Sequence, residues 1–475
     1  MLAHWRRQEY WFARLVIQRG LAGIYLVAFL AVAFQWQGLL GEHGLLPVPA
    51  FLEQASLWQT PSLFWLYYSD EFVAALAWVG VFLAALALLG LSERFNAVFS
   101  MMVWSGLYVL YLSFVNVGQD FFGFGWESIL LEAGFLAIWL GPRRAAAPVA
   151  VIWLLRWLLF RVMFGAGLIK LRGDSCWYDL TCLLYHYETQ PLPGPLSWYF
   201  HYLPPAIHKL GVMYNHLVEL IVPWLYFVPA LAAAAAGLTV LFHGMLIASG
   251  NLSWLNWLTI VLAASCISDR TVRWWLRLTP PEARPAPAWH LGTVKFVVLG
   301  TVLLSVFPVV NMASAHQAMN VSFNPFHLVG SYGAFGSVTK ERYEVVLEGT
   351  RDYKIGGQTE WHEYAFVGKP GDPTRRLPQV APYHLRLDWL MWFASFSPQA
   401  REVWFFRLAD KLLHGEPAVL KLLARDGNPF SDAPPAYIRA RLYRYRFTTA
   451  TERRRTGAWW HRELAGEYLP PIEYR

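Results

Sequence analysis

The sequence predicts an α-helical membrane bundle of about nine transmembrane helices, followed by an α+β domain outside the cytoplasm. Three observations lead to this fold class: repeated long apolar runs, basic residues concentrated in alternate short loops, and a final third without any spanning run. The 475 residues are 56% hydrophobic and only 15% charged, whereas soluble proteins have about 25% charged residues. A membrane protein accounts for this excess of apolar residues.

Apolar runs fill the first two-thirds of the chain, and most approach the roughly 20 residues that a helix needs to cross a membrane. They are Leu15–Phe34, Phe72–Leu91, Phe95–Val115, Ala150–Leu171, Leu210–Val228, Ala230–Ser249, Leu252–Ile267 and Leu291–Val310. A further run, Ser128–Leu140, reaches spanning length if Phe121–Trp126 belongs to it. The first run is too long for the apolar part of a cleaved signal peptide, so we expect it to remain as a membrane helix.

The Lys and Arg residues of the short loops predict the orientation, because such residues accumulate on the cytoplasmic side. Arg6, Arg7 and Arg14 precede the first run, and the loop Trp36–Glu71 has no Lys or Arg. The sequence therefore predicts a cytoplasmic N-terminus at 1–14, a bundle over 15–311 with an outer loop at 175–206, and an outer domain at 312–475. The net charge of +7 lies mainly in loops and in the outer domain without a nucleic-acid motif, which excludes a nucleic-acid partner.

The final third has the pattern of an α+β domain of ordinary size. Alternation over Tyr343–Glu348 predicts a half-buried strand, and Trp361–Val367 predicts a second. Tyr437–Phe447 is strand-like with a change of phase, which predicts a bulge. Ser397-Pro398 is typical of a helix start, and the helix is expected to end near Gly415.

Long sequence blocks resemble the lipase maturation factor family from about Asp120 to the end of the chain. The blocks include Met163–Asp174, Cys176-Trp177, Asp179–Cys182, Tyr185–Pro191, Gly250–Thr259, Tyr332-Gly333, Arg342–Thr350, Lys369–Asp372 and Arg386–Trp389. The resemblance implies a membrane-anchored folding factor, because animal members of this family lie in the endoplasmic reticulum membrane and help secreted lipases fold and assemble. It also implies a lumenal C-terminal domain, a secreted client, by resemblance a lipase, and no cofactor.

The prevalence of Arg over Lys, the abundance of Ala and the lack of a C-terminal retrieval tetrapeptide are expected of a bacterial member in the inner membrane. In a eukaryotic cell the corresponding location is the endoplasmic reticulum membrane. Neither the particular client nor the oligomeric state follows from the sequence.

Three interpretations of Cys176 and Cys182 remain open. The two residues lie on the side expected to be oxidising, where a disulfide between them would stabilise the loop by about 2 kcal/mol. They could instead be two separately buried thiols, and a redox-active pair is less favoured because C-x-x-C spacing is absent. Cys266 is expected to be a packed apolar residue, and no Cys/His set has the spacing of a zinc site.

Several ionisable residues lie within the predicted spans, where an unpaired charge facing lipid is unfavourable, so we expect them to face the bundle interior and to pair. They are Glu132, Arg156, Arg161, Lys170, His216, Glu219 and His243. A polar functional cavity around Lys170 and Glu219 is one interpretation. Structural pairing between helices, or extension of Lys170 toward the membrane surface, is the other.

An enzyme is the alternative function class. The sequence Lys170-Leu171, then Asp174, then Trp177 resembles, with an offset in spacing, a segment of vitamin K-dependent gamma-carboxylase-like membrane proteins. That resemblance implies Lys170 as a base with Asp174 and Glu219 nearby, whereas the folding-factor interpretation predicts no catalytic residue. No Ser lies in a G-x-S-x-G elbow, so the chain does not resemble a lipase itself.

Tryptophans of the outer domain are candidates for client binding, because they could contact apolar segments of an unfolded protein. The candidates are Trp389, Trp392, Trp459 and Trp460. The competing interpretation places most of them in the core, since a small domain needs large aromatic side chains inside.

Overall fold

A computed structural model describes residues 10–396 and 402–473 of the chain. Its main helices are α1 (Trp11–Leu40), α2 (Asp70–Leu88), α3 (Ala97–Val117), α4 (Gly125–Ile138), α5 (Val149–Arg172), α6 (Pro205–His216), α7 (Ala232–Ser249), α8 (Leu255–Ala263), α9 (Ala288–Leu304), α10 (Arg386–Ala394) and α11 (Val403–Leu413). Shorter helices are Val48–Leu52, Gln119–Phe122, Leu183–Thr189, Ser197–His201, Val222–Leu225, Asp269–Leu276, Val306–Ala313, Pro417–Leu420 and Ala450–Thr456. Arg6, Arg7 and the predicted helix start at Ser397-Pro398 lie outside the described residues.

Six helices in the described part of the chain are long and apolar enough to cross a membrane: α1, α2, α3, α5, α7 and the stretch Ala288–Ala313. The predicted count of about nine is therefore not confirmed. The three other predicted runs form shorter or irregular helices. α4 has 14 residues, α8 has 9, and α6 continues into a π-helical turn at Leu217–Ile221. α4 is almost wholly buried and carries Glu127 and Glu132, so its environment is protein and it needs no long apolar surface.

Contacts between loops distinguish the two ends of the bundle. At one end the Asp269 carboxylate accepts the backbone N–H groups of Trp11 and Phe12 at 2.9 and 3.0 Å. The Arg14 guanidinium donates there to the carbonyl oxygens of Arg143 and Ala145. The start of α1, the segment between α4 and α5 and the segment after α8 therefore meet at this end.

The opposite end of the bundle contacts the outer domain. Gln35, near the end of α1, donates to the His384 carbonyl oxygen at 2.7 Å. The Asn251 side chain, just after α7, accepts the N–H groups of Val380 and Ala381 at 2.8 and 2.9 Å. Arg342 donates to the Pro191 carbonyl oxygen in the loop after α5 at 2.9 Å. The loops that follow α1, α5 and α7 thus share one side with the C-terminal third.

The outer domain is built on an antiparallel four-stranded sheet in the order β2-β1-β3-β4. The strands are β1 (Arg342–Thr350), β2 (His362–Glu363), β3 (Tyr437–Phe447) and β4 (Trp460–Glu473). The strand predicted at Trp361–Val367 is wrong in length, because only two of its residues pair with β1. The bulge predicted in β3 is confirmed by shifts of register against β4. The helix expected to end near Gly415 is α11, whose end at Leu413 agrees with the prediction and whose start at Val403 comes after the predicted one.

β1 differs from the half-buried strand that its alternation predicts, because both of its faces are covered. The outward-facing glutamates of the pattern are buried and paired. Glu344 binds Lys369 at 2.9 Å and Arg342, and Glu348 accepts a hydrogen bond from Arg439 at 2.6 Å. Charged residues on a buried face need such partners, and here each partner comes from the same domain.

The bundle and the outer domain share one buried apolar cluster rather than two separate cores. The segment after α9 runs back along α5 so closely that a Cβ atom on Gly165 would collide with the Tyr332 carbonyl oxygen. Gly38 of α1 similarly faces the backbone of Ala418. Glycine is required at both positions because of the close approach of a neighbouring backbone.

Candidate functional site

Lys170 and Glu219 form a buried ion pair near the outer end of α5. The Lys170 Nζ lies 2.6 Å from both Glu219 carboxylate oxygens and 3.0 Å from the Asn215 Oδ1. Asn215 donates its own amide to Glu219 at 2.6 Å, and the Lys170 ammonium lies 4.9 Å from the centre of the Trp177 ring. Lys170 is only 4% exposed, so it does not extend toward the membrane surface.

A π-helical turn places Glu219 opposite Lys170. The turn Leu217–Ile221 follows α6 directly, and Pro223 comes two residues after it. Proline has no N–H, so Pro223 cannot donate to the Glu219 carbonyl, as the fourth following residue of an α-helix would. The local widening of the helix is consistent with this missing hydrogen bond, and π turns of this kind are frequent at functional sites.

A disulfide between Cys176 and Cys182 holds the loop that covers the ion pair, which confirms the first of the three interpretations. Both cysteines are buried with Val212 and Val338 around Trp177, whose Nε1 donates to the Phe335 carbonyl at 3.0 Å. Burial limits access of a thiol to the sulfur atoms, so the bond has the environment of a structural disulfide. Cys266 is free and buried, as predicted.

The geometry argues against Lys170 as a base. An ammonium that donates to a carboxylate has no lone pair for accepting a proton, and losing its proton would leave Glu219 as a buried unpaired charge. Asp174 accepts the Cys176 N–H at 2.9 Å and begins the short turn Ser175–Trp177. Within the described residues Asp174 has no hydrogen bond to Lys170, so the structure joins only two of the three proposed residues.

The other ionisable residues of the predicted spans also face the interior, as expected. Arg161 pairs with Glu132, whose carboxylate also accepts the Tyr332 hydroxyl at 2.8 Å. Arg156 donates to the carbonyl oxygens of Ser265 and Tyr226 at 2.8 and 3.2 Å. His243 contacts Asn256 at 3.0 Å, and His216 contacts the Trp177 carbonyl oxygen at 3.1 Å.

Another buried ion pair joins the outer domain to the bundle, and sequence reasoning did not find it. Arg386, at the start of α10, donates to Glu127 of α4 and to the Phe121 carbonyl oxygen, both at 2.7 Å. Its guanidinium also lies 3.5 Å from the centre of the Phe122 ring. Burial lowers the pKa of the adjacent His384 to about 4, so Arg386 supplies the positive charge beside Glu127 at neutral pH.

The four candidate tryptophans occupy different environments. Trp460 is 2% exposed and stacks on Phe447 at 4.1 Å, so it lies in the core, the position that the competing interpretation predicts. Trp459 lies in the half-buried class and is covered by the guanidinium of Arg453 at 3.4 Å. Trp389 is also buried, as the competing interpretation predicts, while Trp392 is partly exposed.

A cavity of about 690 Å³ lies between the bundle and the outer domain. Its lining includes Lys170, Glu219 and Asn215 from the bundle, together with Trp389 and Trp392 from α10. Apolar side chains form most of the wall. Among the described residues, no group of three or more His, Cys, Asp or Glu side chains is placed to hold a metal ion.

Two models of one protein family match most of this chain. The family model of the lipase maturation factor transmembrane domain matches residues 12–274, and that of the lipase maturation factor C-terminal domain matches residues 328–470. No solved structure matches this chain.

Among similar proteins, lipase maturation factor 1 of Bos taurus is 42% identical over 99% of this chain and 90% of its own length. Lipase maturation factor 1 of Homo sapiens is 41% identical over 99% of this chain and 89% of its own length. Lipase maturation factor 2 of Mus musculus is 31% identical over 96% of this chain and 82% of its own length. None of these matches supports the carboxylase-like interpretation of Lys170. The chain belongs to the lipase maturation factor family.

Proposed function

We propose that this chain is a membrane-anchored maturation factor that helps secreted proteins fold and assemble, and that lipases are among its clients. The names of its relatives support the client class, and the 42% identity extends over 99% of the chain. In this proposal the chain acts as a scaffold without a cofactor and catalyses no reaction of its own.

The observation that carries the proposal is an exposed aromatic patch on the outer domain, formed by Trp392, Phe393 and Phe396 at the end of α10. The ring of Trp392 lies 4.9 Å from that of Phe393 and 4.5 Å from that of Phe396. Phe393 and Phe396 are each 45% exposed. Contiguous exposed apolar side chains mark interaction sites, and aromatic anchors carry much of the binding energy at protein interfaces. An unfolded client has the apolar segments that such a patch would bind.

Replacing both Phe393 and Phe396 with serine is expected to lower the yield of active client. Loss of a central aromatic anchor costs about 2 kcal/mol of binding free energy, or about 30-fold in affinity. The measurement is the activity of a secreted lipase from the same host, with equal membrane levels of the native and variant chains.

The matched control is Tyr353→Ser, because Tyr353 is an aromatic residue of the outer domain that is 88% exposed and lies outside the patch. This control should leave the lipase yield unchanged. An unchanged yield with the double serine variant, or an equal loss with Tyr353→Ser, would contradict the assignment of the patch.

For the topology we propose nine crossings, with the N-terminus in the cytoplasm, the outer loop 175–206 outside and the outer domain outside. The two ends of the bundle support this assignment, because the basic loops meet at one end and the outer domain contacts the other. The short helices α4 and α8, which are largely buried, would then cross inside the bundle, whereas α6 would cross with the apolar side chains of Ile207, Leu210 and Met213 exposed. The same proposal includes the boundary between the bundle, which ends at residue 311, and the outer domain, which begins at residue 312.

Labelling of introduced thiols in sealed, right-side-out membrane vesicles tests this topology in the full chain. The native background is low, since Cys176 and Cys182 are bonded and Cys266 is buried. A membrane-impermeant maleimide should label Tyr353→Cys at once and Glu282→Cys only after permeabilisation. Protection of Tyr353→Cys in sealed vesicles would place the outer domain in the cytoplasm and would contradict the odd number of crossings.

A further inference from the structure

The cavity between the bundle and the outer domain has the size and character of a ligand site. Its volume of about 690 Å³ lies within the range of about 300–1,000 Å³ that is typical of small-molecule pockets. Apolar side chains from three bundle helices line it, among them Val162, Met163, Phe242 and Leu255. The aromatic rings of Trp126 from α4 and of Trp389 from α10 of the outer domain also line it. A wall of this kind suits a long hydrocarbon chain.

Three buried polar side chains line the same cavity without a complete set of hydrogen-bond partners. Within residues 10–396 and 402–473, no hydrogen bond is made by the His186 imidazole, the Asn256 Nδ2 or the Trp389 Nε1. The relative exposures of these residues are 6%, 2% and 4%. Buried polar groups are nearly always hydrogen-bonded, so each of these groups calls for a partner inside the cavity. Asn256 is held in place because its amide oxygen contacts the His243 ring at 3.0 Å.

All three groups can donate a hydrogen bond. Burial, with a further contribution from the Lys170 ammonium, lowers the pKa of His186 to about 4, so its ring is neutral and carries one N–H. The Asn256 amide nitrogen and the indole nitrogen of Trp389 are donors only. The missing partner is therefore an acceptor, such as a carbonyl oxygen.

The charges in the cavity do not favour an anionic ligand. Lys170 and Glu219 neutralise each other at 2.6 Å, and Asn215 contacts both of them. The other charged side chains of the lining, Asp120 and Glu402, are carboxylates, so an added carboxylate would enter a mostly apolar site without a free counter-charge, which is unfavourable.

We propose that this cavity binds one neutral single-chain acyl-ester lipid, whose hydrocarbon chain lies against the bundle. Its one carbonyl oxygen accepts hydrogen bonds from His186 and Asn256, and a hydroxyl oxygen of its head accepts from Trp389. The cavity shares Trp392 and Phe393 with the aromatic patch, but the proposal concerns a small ligand and its test does not use client binding. The site lies at the ends of α5 and α7 that face the outer domain.

Retention of radiolabelled 1-monooleoylglycerol by the purified full-length chain in nanodiscs tests this proposal. The decisive competitor is the ether 1-O-oleylglycerol, which has the same chain and glycerol head but no carbonyl oxygen. The unlabelled ester is expected to compete about fivefold better than the ether for each hydrogen bond that its carbonyl accepts. Oleate, which is charged, should compete less well than the ester.

Variants identify the donors. His186→Leu and Asn256→Leu should each weaken binding of the ester about fivefold and leave binding of the ether unchanged. His362→Leu, an exposed histidine of the outer domain, is the matched control and should alter neither. Equal competition by ester and ether in the native chain would overturn the proposal even if the variants fail to fold. So would stronger competition by oleate, or displacement only by apolar client peptides without any lipid retention.

Discussion

Replacing Arg386 with methionine is expected to destabilise the docking of the outer domain on the bundle by about 3–5 kcal/mol, the cost of breaking one buried ion pair. Methionine keeps most of the side-chain length but removes both hydrogen bonds of 2.7 Å, to Glu127 and to the Phe121 carbonyl oxygen. Glu127 then remains buried with Tyr111 and the neutral His384 as its neighbours. Neither of these neighbours replaces the lost charge.

Thermal unfolding of the purified chain in detergent measures this loss, and limited proteolysis measures release of the outer domain. Arg444→Met is the matched control, because Arg444 pairs with Glu341 at 2.8 Å on the exposed surface of the same domain. Exposed pairs contribute at most about 1 kcal/mol, so the control should unfold like the native chain.

A compensating change separates loss of charge balance from loss of side-chain volume. In Arg386→Met/Glu127→Gln the remaining buried group is neutral, and most of the stability should return. Equal instability of the single and double variants would show that packing around the ring of Phe122, rather than charge, holds the two parts together.

The sequence predicted the membrane part best where the hydrocarbon environment itself imposes a rule. A charged residue in an apolar run must find a partner, and this rule correctly placed Glu132, Arg161, Lys170 and Glu219 in the interior. It did not predict which residues pair, because Lys170 and Glu219 lie 49 positions apart on separate helices. The rule did not apply to Glu127, because this residue lies just before the apolar run Ser128–Leu140.

The outer domain was less predictable because its key contacts are distant in sequence. Arg386 and Glu127 are 259 positions apart, and neither local pattern indicates the other. β4 was not predicted, and it contains Gly466, Pro470 and Pro471, residue types that are typical of loops. Proline is tolerated there because β4 is the edge strand of the sheet.

The tryptophan candidates show a similar limit. Composition indicates that aromatic residues are numerous, but not which of them the fold leaves at the surface. Trp460 lies inside, and the exposed patch consists of Trp392 with two phenylalanines that no tryptophan-based prediction included. Exposure depends on tertiary packing, so the patch could be recognised only in the folded chain.

Replacing Lys170 alone with methionine is expected to destabilise the bundle by about 3–5 kcal/mol, because Glu219 would be left as an unpaired buried charge. The ammonium makes its contacts with Glu219 at 2.6 Å and with Asn215 at 3.0 Å inside the protein. A low client yield with this single variant would therefore reflect loss of folded protein as readily as loss of chemistry. Glu219→Gln alone should be similarly harmful, since it leaves the ammonium without its counter-charge.

The double variant Lys170→Met/Glu219→Gln separates the scaffold from the enzyme interpretation. It removes both charges together, and the glutamine oxygen can still accept the Asn215 amide, so the thermal stability should lie close to that of the native chain. A scaffold needs these two residues only for folding, so the yield of active lipase should match the native yield at equal membrane levels. If the double variant unfolds at the native temperature but yields no active client, Lys170 or Glu219 acts chemically. The scaffold mechanism would then be wrong, because neither residue reaches the surface at which a client binds.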